Sequence, residues 1–164
     1  PGPALLQMIR TPTSPLVVVD HAQTPDALEK VLRSLRDLLS SGAKLHCVFG
    51  CGGDRDPGKR PLMGEVATRL AHRVIITSDN PRSEDPHAII DDVAVGAHAG
   101  YEIEPDRYNA IVAALETAAP DDVVLIAGKG HEAYQEIGTQ RLPFDDVEVA
   151  RETLRHLAEA TRHA

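Results

Sequence analysis

The sequence contains no Trp and only 3% aromatic residues, so its core must be built mainly from aliphatic side chains. An aliphatic core is more typical of α/β packing than of an aromatic-rich β-sandwich. Long hydrophobic runs are also missing, because no apolar stretch approaches the roughly 20 residues that span a bilayer. These absences favour an α/β fold without membrane-spanning segments.

Positive charge and cysteine are also scarce. The chain has 17 Lys and Arg against 25 Asp and Glu, a net charge of −8, which argues against a nucleic acid or an anionic membrane as partner. The two cysteines, Cys47 and Cys51, lack the further Cys or His residues that would complete a zinc site. We therefore expect no metal site in this chain and a reduced, cytoplasmic setting.

The length of 164 residues suits one domain. Pro1, Gly2 and Pro3, followed by the Pro- and Thr-rich residues 11–15, are typical of a linker, so we assign residues 1–15 to a linker and residues 16–164 to the domain. Because the first residue is Pro and not Met, we expect the chain to be a piece of a longer protein, cut near a domain boundary.

Buried strands and amphipathic helices alternate along the domain. Apolar runs predict strands at residues 16–20, 45–49, 73–77 and 122–127, with a weaker candidate at 101–103. Helices are predicted to start at Pro25, Pro61, Pro86, Pro105 and Asp145, the first ending at Gly42, and residues 133–144 resemble a hairpin. The pattern predicts a Rossmann-like, mostly parallel sheet of about six strands flanked by helices, with a short hairpin near the C-terminus.

Polar clusters follow four of these strands, and the carboxyl ends of parallel strands share one edge of a sheet. Arg55, Arg82 and Glu132 would bring two cationic forks and one carboxylate to that edge, which suits a zwitterionic ligand with an extra carboxylate. Two alternatives remain: an internal ion-pair network among the loops, and a simple capped turn at residues 79–82.

Phosphate-binding motifs are incomplete in the glycine-rich segment. Gly53, Gly58 and Lys59 match a P-loop, but Arg60 stands where Ser or Thr would hold Mg²⁺, and Pro57 removes one backbone N–H. The pattern starting at Gly50 also fails the dinucleotide fingerprint. No Ser–His–Asp or Cys–His arrangement is recognisable, so we assign no catalytic residue to this chain.

Four motifs in one order carry a resemblance to a known family. Residues 16–28, 48–64, 79–82 (Asp-Asn-Pro-Arg) and 123–132 resemble the C-terminal domain of the Mur ligase family, in the branch that adds meso-diaminopimelate. The resemblance extends over residues 16–144. It implies a cytoplasmic three-domain ligase of peptidoglycan and cell-wall biosynthesis, and hence of cell shape and division. Such a ligase uses ATP and Mg²⁺ to activate the D-glutamyl carboxylate of UDP-MurNAc-L-Ala-D-Glu.

The resemblance also implies roles for single residues. Arg82 would bind the distal carboxylate of meso-diaminopimelate, Asn80 and Arg55 the carboxylate near the reacting amine, and Gly128 and Glu132 the distal ammonium. Asp79 and Pro81 complete that motif. Lysine-adding relatives lack the Arg, so Arg82 favours diaminopimelate. The family's Asp-Tyr-Ala-His motif reads Asp20, His21, Ala22 and Gln23 here, which leaves Asp20 for the ATP ribose and changes the rest of the nucleotide site.

The implied partners are the central domain, which would carry the P-loop and most of the Mg²⁺ site, and the N-terminal domain, which would bind the UDP-sugar peptide. We therefore expect the chain alone to be inactive. Two other functions stay open: a stand-alone amino-acid-binding or interaction module, and a related ligase that adds another amino acid or builds a polyamide such as cyanophycin.

Overall fold

A computed structural model describes residues 6–162. The strands are β1 (Gln7–Ile9), β2 (Leu16–Asp20), β3 (Leu45–Phe49), β4 (Arg73–Ile76), β5 (Tyr101–Ile103), β6 (Val123–Ala127), β7 (Tyr134–Ile137) and β8 (Gln140–Pro143). The helices are α1 (Pro25–Arg36), α2 (Lys59–Leu70), α3 (Pro86–Gly96), α4 (Arg107–Thr117) and α5 (Asp146–Arg162).

Six strands form one sheet in the order β1-β2-β6-β3-β4-β5, and β7 and β8 form a separate antiparallel hairpin. All neighbours in the large sheet are parallel except β1, which runs antiparallel to β2. These observations confirm the predicted mostly parallel, Rossmann-like fold with a hairpin near the C-terminus.

The sheet is covered by helices on both faces, which explains why its central strands are continuously apolar. Val18 of β2 packs into the core with α1, α2 and α3, whereas its neighbours Val17 and Val19 pack with α4 and α5 on the opposite face. The alternation follows from the two-residue period of a strand. The scarcity of aromatic residues is thus matched by two aliphatic cores.

Helix α1 starts as predicted but ends before Gly42. Thr24 caps it by accepting a hydrogen bond from the Ala27 N–H at 3.1 Å, and the helix stops at Arg36. The N–H groups of Leu38 and Leu39 bond three residues back, so the chain tightens, and Leu38 is 57% exposed instead of buried. Gly42, with φ of +84°, belongs to the turn before β3.

Two further helix starts differ from the prediction. Helix α2 begins at Lys59, so Pro61 lies inside the first turn, where the missing N–H costs no intrahelical bond. Helix α4 begins at Arg107 and not at Pro105, because the Asp106 carboxylate caps it by accepting from the Asn109 N–H at 3.0 Å. The α3 and α5 starts agree with the sequence, with Asp85 and Asp145 accepting backbone N–H groups.

Part of the predicted linker belongs to the sheet. Residues 7–9 form β1 against β2, and Ile9 is buried in the core beside α4 and α5. Residues 1–5 of that predicted linker, and residues 163–164 of the predicted domain, lie outside the described residues.

Within residues 6–162, no helix combines the length and the apolar character needed to cross a membrane.

Candidate functional site

A cleft of about 430 Å³ opens at the carboxyl edge of the sheet. It is lined by residues that follow β2, β3, β4 and β6, as expected for a ligand site in an open α/β sheet. Six of the ten predicted binding residues line it: Gln23, Arg55, Asp79, Asn80, Arg82 and Glu132. The structure thus brings together the two Arg forks and the carboxylate that the sequence analysis combined.

The glycine-rich loop after β3 packs directly on the loop after β4. The Gly53 N–H donates to the Asn80 carbonyl oxygen at 2.8 Å, and a Cβ at Gly53 would collide with the carbonyl group of Pro81. Glycine is needed here because two backbones meet without room for a side chain. Pro81 is buried in this contact and does not line the cleft.

Arg82 adopts a left-handed backbone conformation, with φ of +53°, at the rim of the cleft. Its Nε donates to Glu136 Oε1 at 3.0 Å, and its Nη1 donates to the Gly53 carbonyl oxygen at 2.9 Å. The side chain is 21% exposed. A strained backbone and two fixed hydrogen bonds hold the guanidinium in one orientation at the cleft.

Asn80 and Glu132 are linked by a lysine that the sequence analysis did not assign. Lys129 is buried, and its Nζ lies 2.9 Å from Asn80 Oδ1 and 3.3 Å from Glu132 Oε1. Asn80 Nδ2 in turn donates to Glu132 Oε1 at 3.3 Å. The Glu132 carboxylate is therefore partly neutralised and held in place. The only sequence signal for Lys129 was the position of this residue between two glycines, in the Gly-Lys-Gly segment.

Asp79 lies under the cleft and is almost completely buried. Burial raises the pKa of its carboxyl group, an effect that the positive charges of Arg107 and Lys129 oppose. One of its oxygens lies 4.0 Å from Lys129 Nζ. The Asp79 carboxylate therefore mainly stabilises the charge of Lys129, and little of it faces the open part of the cleft.

Gly128, which follows β6, meets Asp79, which follows β4, across the end of the intervening strand β3. It has φ of +119°, and a Cβ at this position would lie 2.5 Å from Asp79 Oδ2. Its carbonyl oxygen accepts from Gln23 Nε2 at 2.7 Å, and its N–H donates to the Asp20 carbonyl oxygen at 3.0 Å. Gly128 thus joins the ends of β2, β4 and β6.

We expect Gly128→Ala to lower the free energy of unfolding by about 2–4 kcal/mol, because it combines an unfavourable φ with a displaced Asp79. The matched control is Gly138→Ala, which also has a positive φ but no atom within 4 Å of the added Cβ. It should cost only about 1–2 kcal/mol. Urea denaturation of both variants measures the difference; equal costs would contradict the steric role of Asp79.

Two arginines at the glycine-rich loop differ sharply in their surroundings. Arg55 is exposed, and its side chain makes one hydrogen bond, to the Asp54 carbonyl oxygen at 2.9 Å. Arg60 is buried and donates to Glu84, Asp92 and the Gly52 carbonyl oxygen. Arg55 is therefore available to a ligand, whereas Arg60, which the sequence analysis considered only as a P-loop mismatch, holds the loop in shape.

The three predicted nucleotide residues gather at the end of β2. Asp20 is half-buried, and one of its carboxylate oxygens accepts from the Ala22 N–H at 2.9 Å. His21 is exposed and packs beside Gly130, where an added Cβ would lie 2.7 Å from the His21 Cβ. Within residues 6–162 the second Asp20 oxygen accepts no hydrogen bond.

A metal site is not evident at this edge of the sheet. Over residues 6–162, no group of three or more His, Cys, Asp or Glu side chains is arranged to hold a metal ion. Burial raises the pKa of Cys47 and of Cys51 to about 12, so both thiols are protonated at neutral pH.

The edge of the sheet is supported by a fully buried ion pair. Arg107 and Asp146 have side chains that are 0% exposed, and Arg107 Nη2 lies 2.7 Å from Asp146 Oδ2. Arg107 also donates to the carbonyl oxygens of Ser78 and Ala127, at the ends of β4 and β6. Because Ser78 and Ala127 directly precede Asp79 and Gly128, this pair fixes two walls of the cleft.

Comparison with known proteins shows the family of the chain. The family model described as "Mur ligase, glutamate ligase domain" matches residues 6–130, more than half of the chain. The chain belongs to the Mur ligase family. The match includes both glycine-containing loops and the Asp79–Arg82 segment of the cleft.

Individual Mur ligases share much more than the fold. The UDP-N-acetylmuramoyl-L-alanyl-D-glutamate–2,6-diaminopimelate ligase of Chromobacterium violaceum is 53% identical over 155 residues, covering 94% of this chain and 31% of that protein. The ligase of the same name from Pseudomonas putida is 56% identical over 142 residues, covering 85% of this chain and 28% of the relative. The chain thus spans about a third of the length of these relatives.

A solved Mur ligase structure gives the same result in three dimensions. The structure titled UDP-N-acetylmuramoyl-L-alanyl-D-glutamate–2,6-diaminopimelate ligase superimposes with a TM-score of 0.89 at 48% identity. The superposition covers 96% of this chain and 32% of the solved chain. Both the sequence and the fold therefore correspond to one part of a longer ligase.

Proposed function

We propose that the chain is the C-terminal, amino-acid-binding domain of an ATP-dependent ligase that adds meso-diaminopimelate to UDP-MurNAc-L-Ala-D-Glu in peptidoglycan synthesis. The observation that carries the proposal is the charge arrangement of the cleft, where Arg55 and Arg82 lie with Glu132 around about 430 Å³. Meso-diaminopimelate has two carboxylates and two ammonium groups, which this arrangement complements. The similar ligases are named for the same amino acid.

Arg82 would bind the distal carboxylate, because its guanidinium is held at the cleft through Nε and Nη1, while Nη2 makes no hydrogen bond within residues 6–162. Asn80 and Arg55 would bind the carboxylate beside the reacting amine. Arg55 is the better candidate of the two, since Asn80 Nδ2, the donor that a carboxylate would need, already donates to Glu132 Oε1 at 3.3 Å. The Glu132 carboxylate and the Gly128 carbonyl oxygen would bind the distal ammonium. This ammonium would compete with Lys129 Nζ for the Glu132 carboxylate.

The domain would also close over ATP. Asp20 would accept a hydrogen bond from the ribose, and the exposed His21 and Gln23 would line the nucleotide side. Bound ATP would supply the phosphoryl group that activates the D-glutamyl carboxylate, with Mg²⁺ held mainly by the central domain. Because residues 53–60 lack the Ser or Thr of a P-loop, we propose that this chain alone does not catalyse ligation. Its partners would be the central and N-terminal ligase domains, in the cytoplasm.

Calorimetric titration with meso-diaminopimelate and, separately, with lysine tests the proposed specificity. We expect the chain to bind meso-diaminopimelate at least about tenfold more tightly, because a carboxylate against a guanidinium contributes at least about 1.4 kcal/mol. The same comparison in the complete ligase, as the ratio of kcat/KM values, covers the case in which domain closure completes the cleft. Equal values for both amino acids would favour a related ligase with another substrate.

A further inference from the structure

The Asp79–Arg82 loop is held from outside the sheet by the hairpin strand β7. Arg82 pairs with Ile137 in an isolated parallel bridge, with the Arg82 N–H donating to the Glu136 carbonyl oxygen at 3.0 Å. The Gly138 N–H donates to the Arg82 carbonyl oxygen at 2.7 Å, and the Glu136 N–H donates to Asn80 Oδ1 at 2.9 Å. These bonds use the backbone of the hairpin, so they survive a change of side chain at position 136.

The side chain of Glu136 acts on the guanidinium itself. Glu136 Oε1 accepts from Arg82 Nε at 3.0 Å, and the Gly53 carbonyl oxygen accepts from Arg82 Nη1 at 2.9 Å. Among residues 6–162, no hydrogen bond occupies Nη2. The N–H of Nε and one N–H of Nη1 are thus used by the protein, and the second N–H of Nη1 and both N–H groups of Nη2 remain for a bidentate contact with a carboxylate.

The charge of Glu136 is balanced by a second arginine. Arg141 Nε lies 3.4 Å from Glu136 Oε2, and the Arg141 guanidinium lies over the Tyr134 ring at 4.3 Å. Two cations therefore share one carboxylate at the hairpin. Arg141 therefore offsets part of the negative charge that Glu136 brings to Arg82.

We propose that Glu136 is a positioning residue, which aims the end of the Arg82 guanidinium at the distal carboxylate of the amino acid substrate. The inference rests on the proposed function and extends it, because Glu136 lies outside every motif that indicated the substrate. It makes the hairpin part of the specificity apparatus. A substrate without a distal carboxylate gains nothing from this orientation, so the effect of Glu136 depends on the ligand.

Three variants test the proposal by titration with meso-diaminopimelate and with lysine. Glu136→Ala should weaken binding of meso-diaminopimelate about tenfold and leave lysine unchanged, because one charge-assisted hydrogen bond that orients Arg82 is lost. Glu136→Gln keeps an oxygen acceptor for Nε and should stay within about threefold of the wild-type affinity. The control Glu116→Ala removes an exposed carboxylate of α4 and should change neither ligand. An unchanged ratio of the two affinities in Glu136→Ala would overturn the proposal, whether both affinities stay constant or both fall equally.

A second measurement separates this proposal from the proposed function. The Nε–H signal of Arg82 in ¹⁵N NMR of the ligand-free chain should be protected from exchange in the wild type and in Glu136→Gln, and lost in Glu136→Ala. A signal that is unaffected by Glu136→Ala would overturn the positioning role whatever the chain binds. If the signal behaves as expected but neither the chain nor the complete ligase discriminates meso-diaminopimelate from lysine, the proposed function is wrong while the orientation of Arg82 stands.

Discussion

Arg82→Ala should reduce the affinity for meso-diaminopimelate about 100-fold while leaving lysine affinity within about twofold, since a bidentate charge pair contributes roughly 3 kcal/mol. The expectation follows from the proposed contact of Arg82 with the distal carboxylate, which lysine lacks. In the complete ligase, the KM for meso-diaminopimelate should rise far more than the KM for ATP. Steady-state kinetics with each substrate varied in turn measures this difference.

The matched control for this prediction is Arg151→Ala, which removes an exposed arginine of α5 and should change neither KM. It corrects for the general effect of net charge on an anionic substrate. Equal increases in the KM values for meso-diaminopimelate and ATP in Arg82→Ala would contradict the assigned role. Arg82→Ala also removes the hydrogen bond between Arg82 and Glu136. The loss of that bond cannot explain the whole fall in affinity, because Glu136 is expected to contribute only about tenfold.

Arg107→Met should lower the free energy of unfolding by about 3–5 kcal/mol, because it leaves Asp146 as an uncompensated buried charge. Both side chains are 0% exposed, and the two hydrogen bonds between them measure 2.7 and 2.8 Å. The carbonyl oxygens of Ser78 and Ala127 lose their donors at the same time. For a chain of this size, thermal denaturation should show a fall in Tm of roughly 10 °C.

The double variant Arg107→Met/Asp146→Leu distinguishes an unpaired charge from a general loss of packing. Removing both partners should cost less than removing Arg107 alone, because no charge then remains buried. Arg33→Met is the surface control, since Arg33 pairs with Glu29 at 2.9 Å but is 58% exposed, and it should cost at most about 0.5 kcal/mol. A double variant at least as unstable as Arg107→Met alone would contradict the explanation.

The fold could be predicted from the sequence because its signals are local and mutually consistent. Continuous apolar runs identified β2, β3, β4 and β6, and capping residues such as Thr24 and Asp85 marked helix starts within a few residues. The errors occurred where tertiary contacts outweigh local pattern. Leu38 matched a helical stripe but is 57% exposed, and residues 7–9 matched a linker but pair with the edge strand β2.

The outline of the cleft could also be predicted, because parallel strands bring the residues after their carboxyl ends to one edge. What could not be predicted is which polar groups bind each other. The two alternatives weighed for Arg55, Arg82 and Glu132, a ligand site and an internal ion-pair network, both describe part of the structure. Arg82 and Glu132 each have an internal ion-pair partner, whereas Arg55 is exposed.

By itself, the sequence determined the class of fold, the edge of the sheet where charged groups collect, and the family. Each of these depends on residues close together in the chain or on motifs in a recognisable order. Only the tertiary structure decided that Glu136 holds Arg82, that Lys129 holds Glu132, and that Arg107, paired with Asp146, donates to the backbone just before both loops. The partners in the first and last of these pairs are 54 and 39 residues apart, and Lys129 and Glu132 face each other across a short turn. Their chemistry arises from burial and from distances of about 3 Å, neither of which local sequence encodes.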